Sequence, residues 1–361
     1  MSIWVLIIIV ICVLAYILFN ATYISGDASI EDYDNAFNKA TNADKVGGLV
    51  VGVVGPNGLE WSKGYGTVRT EKLDKDTIFR VASISKMFTA VIALILARQG
   101  KIKLNGCVSD HLKEIKRLES IKGYQECITF HQLLSQTAGI DRSSDNDIDQ
   151  KGDINQWEKI LLNSLEHTGF TWQPGTHYEY SNMGYAILGL ALERAANMSY
   201  FEMVNKWILE PCGMVDTSFQ YPSDKQSRVA DARYNHGEEF KIGDPRDDHQ
   251  GAAAVYGGAY STVSDLAKFM TCLMNGKLLT ESEMEVMFTP YNPNPLVDQL
   301  YGYGVEIQRG GQIVGHSGAL PGYKTQLGFH RTKKKGVILL RNYFTGQVKL
   351  GLTMVSMIQN L

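Results

Sequence analysis

The stretch FRVASISKMFTAVIALILARQGK, residues 79–101, combines a short apolar strand, a serine–lysine pair and an almost wholly apolar helix. We expect the helix to run from about Ser85 to Gln99, because the glycine that follows Gln99 is a common helix end. Its apolar residues lie on all sides, which is typical of a helix buried inside a domain. Ser83 and Lys86 therefore stand where a buried helix begins.

Strand patterns occur at both ends of the chain. Residues 46–68 are typical of a β-hairpin, because two apolar or alternating runs flank a Pro-Asn-Gly turn. Strand patterns return beyond residue 302, and the basic run RTKKKG at 331–336 is expected to be a turn between two of them. A last amphipathic helix is expected at about 347–360. The residues between these ends, about 104–250, are mostly helices and loops.

These patterns predict an α+β fold, because strands at both chain ends must pair with each other to form one layer. We expect an antiparallel sheet flanked by helices, with an inserted, mainly helical region. The expected helical patches of that region are 130–136, 156–166, 182–196 and 200–209.

The N-terminus differs from the rest of the chain. Residues 3–19, IWVLIIIVICVLAYILF, are uncharged and apolar. At ~1.5 Å per residue they extend about 25 Å, enough to cross a bilayer core. No basic region or clear cleavage site accompanies them, which favours a transmembrane anchor over a cleaved signal. We divide the chain into this anchor or signal segment (1–20), a linker with the start of the first helix (21–45) and one large domain (46–361). Export of that domain is expected.

Charge and cysteine content exclude some classes of protein. The net charge of −3 and the lack of a basic patch argue against nucleic-acid binding. The five cysteines include no C-x-x-C pair, which excludes a zinc ribbon or a thioredoxin motif. Cys107 and Cys127 can pair if the domain is exported, and free thiols are the equal alternative. The acidic run with histidine at 247–249 is interpreted as a solvated loop and not as a metal site.

The serine–lysine pair suits nucleophilic catalysis. A serine hydroxyl needs a base or a strong local field to react at neutral pH. Lys86 lies three residues after Ser83 and therefore on the same side of the helix. Burial and the positive helix end disfavour an ammonium there and leave an amine that can accept a proton. An N-cap serine with a solvent-facing lysine is the ordinary alternative.

Two further groups of residues are suited to form one catalytic cleft with Ser83 and Lys86. Tyr180 and Asn182 stand two apart in YEYSNMGYAILG, so both side chains are expected to project the same way. Tyr180 can act as a base if the Lys86 cation lowers its pKa, and Asn182 can alternatively cap the helix that follows.

The second group, His316-Ser317-Gly318-Ala319, is expected at the end of a strand. Its glycines allow a close approach of backbone or ligand. A free N–H at Ala319 would serve as an oxyanion donor beside the N–H of Ser83.

These three motifs, in this order, resemble the serine β-lactamase and penicillin-binding protein superfamily, in particular its class C β-lactamase, D,D-carboxypeptidase and esterase branch. The resemblance extends over about 46–361 and includes linking phrases such as ITFHQLLSQTAGI and YGGAYSTVSDLAKFM. It implies that Ser83 is acylated, with proton transfer shared by Lys86 and Tyr180, and that neither a metal nor a cofactor takes part. It also implies that Asn182 and the strand residues His316, Ser317, Gly318 and Ala319 bind the substrate.

His316 departs from the family pattern, which usually has lysine there. A histidine with a pKa of ~6.5 is mostly neutral at pH 7, so we expect weak recognition of a penicillin carboxylate. The expected function is a membrane-anchored, extracytoplasmic serine hydrolase. Its expected substrates are D-residue peptides first, esters second and β-lactams third. The alternative is a catalytically silent protein of this fold that acts in binding or assembly.

Overall fold

A computed structural model describes residues 28–68, 70, 72–116, 127–142, 152–236, 239–246, 250–294, 299–344 and 346–361. The apolar segment 3–19 and the acidic run 247–249 lie outside these ranges. No helix within them is both long enough and apolar enough to cross a bilayer. The N-terminal anchor therefore stays a prediction.

Ten strands are described, numbered in chain order. They are β1 (Gly48–Gly55), β2 (Gly58–Gly66), β3 (Phe79–Arg80), β4 (Ala232–His236), β5 (Glu239–Gly243), β6 (Tyr260–Ser261), β7 (Glu306–Gln308), β8 (Ile313–Leu320), β9 (Tyr323–His330) and β10 (Gly336–Arg341).

The α-helices are α1 (Ile30–Asp44), α2 (Ser85–Arg98), α3 (Phe130–Leu134), α4 (Trp157–Ser164), α5 (Asn182–Ala196), α6 (Tyr200–Val204), α7 (Glu210–Cys212), α8 (Ala253–Gly257), α9 (Val263–Met274), α10 (Glu281–Met287) and α11 (Leu350–Asn360). Single 3₁₀ turns include Ala82–Ile84, and one π-helical turn covers Asn205–Leu209.

The main sheet combines both ends of the chain, as predicted. Its six strands run in the order β2-β1-β10-β9-β8-β7, and all neighbours are antiparallel. The central strands β1 and β10 are buried along their whole length, which explains their continuous apolar sequences. The basic run 331–335 is the turn between β9 and β10, also as predicted.

Helices cover both faces of the sheet. On one face α1 and α11 pack together, and the hydroxyls of Tyr33 and Ser356 form a hydrogen bond of 2.8 Å between them. The other face carries α2 and the inserted helical region, which share one large apolar core. Every α2 residue from Ser85 to Leu96 is buried. The predicted central helix is thus confirmed, and it ends at Arg98.

Two disulfides connect loops and helices of the domain. One joins Cys107 to Cys127, which was one of the two alternatives expected from the sequence. The other joins Cys212 in α7 to Cys272 in α9. Its partners are 60 residues apart, and no local sequence signal indicated the pairing.

Removal of the second disulfide is expected to destabilise the oxidised protein. Because the Cys212–Cys272 bridge closes a loop of 60 residues, we expect Cys212→Ala with Cys272→Ala to lower the free energy of unfolding by about 2–4 kcal/mol. Denaturant titration without reductant measures this difference. With reductant, wild type and variant should converge. Equal stability under oxidising conditions would show that the bridge does not constrain the unfolded chain.

Candidate active site

A tight turn places Ser83 at the beginning of α2. The N–H of Val81 donates to the carbonyl of Ala259, which ties the turn to β6. Ala82 has a φ of 52°, a left-handed conformation that is uncommon for a residue with a Cβ. The chain reverses there, and Ser83 lies in the 3₁₀ turn that leads into the helix. Within the described part of the chain the N–H of Ser83 has no hydrogen-bond acceptor.

Lys86 is fully buried beneath Ser83. Its Nζ lies 3.1 Å from the Oγ of Ser83, 2.9 Å from Oδ1 of Asn182 and 3.0 Å from the carbonyl oxygen of Tyr256. A neutral amine has two N–H groups, which suit the two carbonyl-type oxygens. Its lone pair then remains for the hydroxyl proton of Ser83.

The surroundings favour that neutral form. Burial lowers the pKa of Lys86 well below its ordinary value, and the nearby Arg142 cation lowers it further. The carboxylate of Glu306 opposes this shift but does not cancel it. The lowered lysine pKa expected from the sequence is therefore found, with burial as its main cause.

Tyr180 faces the same two groups. A hydrogen bond connects its hydroxyl with Ser83, and its ring centroid lies 4.8 Å from Nζ of Lys86 and 5.2 Å from Cζ of Arg142. Burial nevertheless raises the pKa of Tyr180 above its ordinary value. The condition under which Tyr180 could act as a base, a pKa lowered by nearby cations, is therefore not met, because desolvation outweighs the neighbouring cations. The phenol is protonated at neutral pH.

Asn182 is the first residue of α5, and Ser181 caps that helix. The Oγ of Ser181 accepts a hydrogen bond of 2.9 Å from the N–H of Gly184. The side chain of Asn182 is therefore not used as a cap and points to Lys86 instead. The backbone N–H of Asn182 donates to the carbonyl of Arg142, which places that cation at the site.

The third motif forms an open sheet edge beside Ser83. β7 pairs with β8 only as far as Glu306 and Gly315, so within the described residues the end of β8 has no strand partner on that side. Leu320 and Tyr323 close the two-residue hairpin to β9. In antiparallel strands, pairs of residues that exchange hydrogen bonds alternate with pairs that do not. Because Leu320 and Tyr323 are the bonded pair that closes the hairpin, the adjacent pair of Ala319 and Lys324 is not bonded. The N–H of Ala319 therefore points away from β9, towards the open edge.

Gly318 brings that edge against the nucleophile turn. A Cβ on Gly318 would stand 2.4 Å from the carbonyl oxygen of Val81 and 3.1 Å from the Cβ of Ala82. Thr325, its partner on β9, donates a hydrogen bond of 2.9 Å to the same carbonyl. Only glycine therefore permits this close contact between β8 and the turn.

His316 is part of the cleft wall. The ring is 1% exposed, its Nδ1–H donates to the carbonyl of Ser317 at 2.6 Å, and its Nε2 accepts from the hydroxyl of Tyr301 at 2.9 Å. Burial lowers its pKa, against the opposing effect of Glu306. The ring is therefore neutral and already bonded on both nitrogens. The hydroxyl of Ser317 donates to the carboxylate of Glu306.

The structure brings together all eight site residues predicted from the sequence, and it adds Arg142, Glu306 and Tyr301. Arg142 stands at the start of a polar stretch of the sequence that carries no recognisable motif. Glu306 and Tyr301 lie in the strand pattern around YGYGVEI, where alternation alone does not separate a site residue from a core residue. Within the described ranges no group of three or more His, Cys, Asp or Glu side chains is arranged to hold a metal ion.

Comparison with known proteins identifies the family of the chain. A family model described as beta-lactamase matches residues 33–352. The chain belongs to the beta-lactamase family. This confirms the superfamily predicted from the three motifs.

One curated relative is Beta-lactamase-like protein 4 of Dictyostelium discoideum. It is 29% identical over an alignment of 337 residues, and the match covers 85% of this chain and 58% of the relative. The chain therefore spans little more than half the length of this beta-lactamase-like relative.

Two solved structures share the fold. The octameric penicillin-binding protein homologue from Pyrococcus abyssi has a TM-score of 0.75 at 24% identity, covering 91% of this chain and 77% of its own. A D-stereospecific amidohydrolase from Streptomyces has a TM-score of 0.72 at 22% identity, and the match covers 88% of this chain and 96% of the amidohydrolase. The likeness confirms the predicted α+β architecture of the beta-lactamase and transpeptidase type.

Proposed function

We propose that this member of the beta-lactamase family is a serine hydrolase that cleaves amide or ester bonds through an acyl-Ser83 intermediate. The observation that carries the proposal is the contact of 3.1 Å between the Ser83 hydroxyl and the buried amine of Lys86. A hydroxyl next to a neutral amine, at the beginning of a helix, is an activated nucleophile.

Lys86 is the base in the proposed acylation step. The proton of the Ser83 hydroxyl passes to Nζ while Oγ attacks the substrate carbonyl carbon. The N–H groups of Ser83 and Ala319 stabilise the resulting oxyanion. Asn182 holds Lys86 in place and lies where it can also contact the substrate amide.

Tyr180 is the proposed acid, because its pKa is raised. Its phenol protonates the leaving amine or alcohol as the carbonyl–leaving group bond breaks, and the ammonium of Lys86 returns a proton to the phenol. Water then attacks the acyl carbon. One water proton returns through Lys86 to Ser83 as the ester bond breaks, and the acid product leaves.

The charges at the open strand edge guide the choice of substrate. His316 is neutral and the hydroxyl of Ser317 is bonded to Glu306, so neither is free to bind a carboxylate. A substrate carboxylate there would also meet the negative charge of Glu306. We therefore place D-residue amides and peptides first, esters second and β-lactams third. The D-stereospecific amidohydrolase among the structural neighbours supports D-residue substrates.

A small panel tests the proposal. We expect turnover of a p-nitrophenyl ester and of D-alanyl-D-alanine amide, slower turnover of D-alanyl-D-alanine and least of nitrocefin. Ser83→Ala should abolish the turnover of every substrate in the panel and prevent labelling by a fluorophosphonate. A folded wild type that is neither labelled nor active would favour the silent binding or assembly protein. The N-terminal anchor and the extracytoplasmic location are proposals that cell fractionation can test.

The pH dependence of kcat/KM follows from the two shifted groups. Lys86 accepts a proton only when it is neutral, so activity should rise with pH through its lowered pKa. Tyr180 donates a proton only when it is protonated, and its raised pKa places the alkaline loss above its ordinary value of ~10. Steady-state rates from about pH 5 to 10 measure the profile. A rise centred at the ordinary lysine value of ~10.4 would contradict Lys86 as the base.

A further inference from the structure

A second cavity lies on the sheet face opposite Ser83. It has a volume of about 750 Å³ and is bounded by the first turn of α11 and by β9. Thr325 of β9 points to the nucleophile turn, whereas its neighbours Lys324 and Gln326 line this cavity. The cavity is therefore separated from the active site by the sheet itself. A volume of this size accommodates a small-molecule ligand.

The beginning of α11 is uncapped. No side chain accepts a hydrogen bond from its first turn. Among the described residues, the N–H groups of Leu350, Gly351 and Leu352 have no acceptor. All three residues line the cavity. Unpaired N–H groups and the positive end of the helix attract an anion.

Gln326 is an independent sign of a polar ligand. Its side chain is 4% exposed and lines the cavity, and it has no hydrogen-bond partner in the described part of the chain. Its Oε1 lies 3.7 Å from the position that a Cβ would take on Gly351. The amide thus points at the first turn of α11. The polar atoms of this amide border the cavity and have no protein partner there among the described residues, so a ligand in the cavity can bind them.

The charged side chains that line the cavity are all basic, whereas the nearby carboxylate of Asp44 acts on Arg341 from outside the lining. Its lining contains Arg309, Lys324, Arg341 and Lys349, and no acidic side chain among the described lining residues. Arg341 is held by the carbonyl oxygens of neighbouring residues. Of the other three, none is paired with a carboxylate within the described ranges, and Lys324 lies 5.2 Å from the ring centroid of Phe344.

The cavity also has an apolar side. Phe344 is 45% exposed and Leu352 is 53% exposed, and both line it together with Val348 and Val355. Several exposed apolar side chains at one cavity indicate a binding surface more often than single ones do. A ligand for this cavity thus needs an anionic end and an apolar end.

We propose that this cavity binds an amphipathic oxyanion, a phosphate or carboxylate group on an apolar chain. The anionic group contacts the first turn of α11, Gln326, Lys324 and Lys349, and the apolar chain packs on Phe344 and Leu352. The proposal is independent of the chemistry at Ser83.

Calorimetric titration of the full chain with four probes tests the proposal. The probes are octyl phosphate, octanoate, the neutral octyl glucoside and inorganic phosphate. We expect one octyl phosphate or octanoate per chain, bound at least tenfold tighter than octyl glucoside and inorganic phosphate. The relative affinity of the two anionic probes distinguishes a phosphate from a carboxylate ligand.

Two variants and a control make the test specific. Lys349→Glu changes an exposed residue and should lower the affinity for octyl phosphate at least tenfold. Lys324→Met should lower the same affinity severalfold. Lys113→Glu, exposed elsewhere on the chain, should leave the affinity unchanged. Thermal unfolding shows whether each variant is folded. Equal binding of octyl glucoside, no binding of either anionic probe, or equal losses in Lys349→Glu and Lys113→Glu would overturn the proposal.

Discussion

Lys86→Met should lower kcat/KM for a D-residue amide by about 10³-fold, because it removes the proposed base and leaves the Ser83 hydroxyl without a proton acceptor. Methionine is similar in length and apolar, so it suits the buried position of Lys86. The variant therefore tests chemistry more than folding. Initial rates with wild type and variant, together with thermal unfolding curves, measure both effects.

The control for this variant is Lys101→Met, which removes an exposed lysine just after α2. It should keep wild-type activity. Lys86→Arg should also be nearly inactive, since a guanidinium is never neutral at working pH. A folded Lys86→Met with more than a tenth of wild-type activity would assign proton abstraction to another group. Tyr180 would then be the first candidate.

Gly318→Ala should lower kcat/KM by about 10²-fold or more. The added Cβ would stand 2.4 Å from the carbonyl oxygen of Val81 and 2.1 Å from Oγ1 of Thr325. The end of β8 must then move away from the nucleophile turn, and the N–H of Ala319 moves with it. Loss of one oxyanion donor costs about 10²–10³ in rate. The same substrate assay measures the effect, mainly as a lower kcat.

A second variant distinguishes the two contacts of that Cβ. Gly318→Ala combined with Thr325→Ala removes the contact with the threonine hydroxyl but leaves the contact with the Val81 backbone. Activity should stay low, because the backbone contact is what displaces the strand. Full recovery in the double variant would show that the side chain of Thr325, and not the turn, limits the approach. Thermal unfolding of both variants checks that the sheet is intact.

The fold was largely predictable from sequence because its elements have strong local patterns. β1 and β10 are continuous apolar runs, α2 is apolar on all sides, and each pattern matches one type of structure. The Ser83–Lys86 pair was predictable for the same reason, since three residues along a helix bring two side chains together. The resemblance to a known superfamily then connected this pair with the two distant motifs.

Other features depend on residues far apart in the chain. The Cys212–Cys272 disulfide, the cation of Arg142 above Tyr180 and the anion of Glu306 beside Ser317 arise from packing between separate elements. The direction of the Tyr180 pKa shift also depends on residues far apart in the chain, because it results from the balance of burial against nearby cations. No sequence spacing encodes that balance.

By itself, the sequence determined the sheet from both chain ends, the central helix and the positions of the nucleophile and its amine. Tertiary structure alone decided that Tyr180 keeps its proton, which nitrogens of His316 are occupied and where a second, cationic cavity opens. The physical reason is that hydrophobic periodicity and helical spacing act over a few residues. Desolvation and charge pairing instead depend on every group that folding brings within a few ångströms.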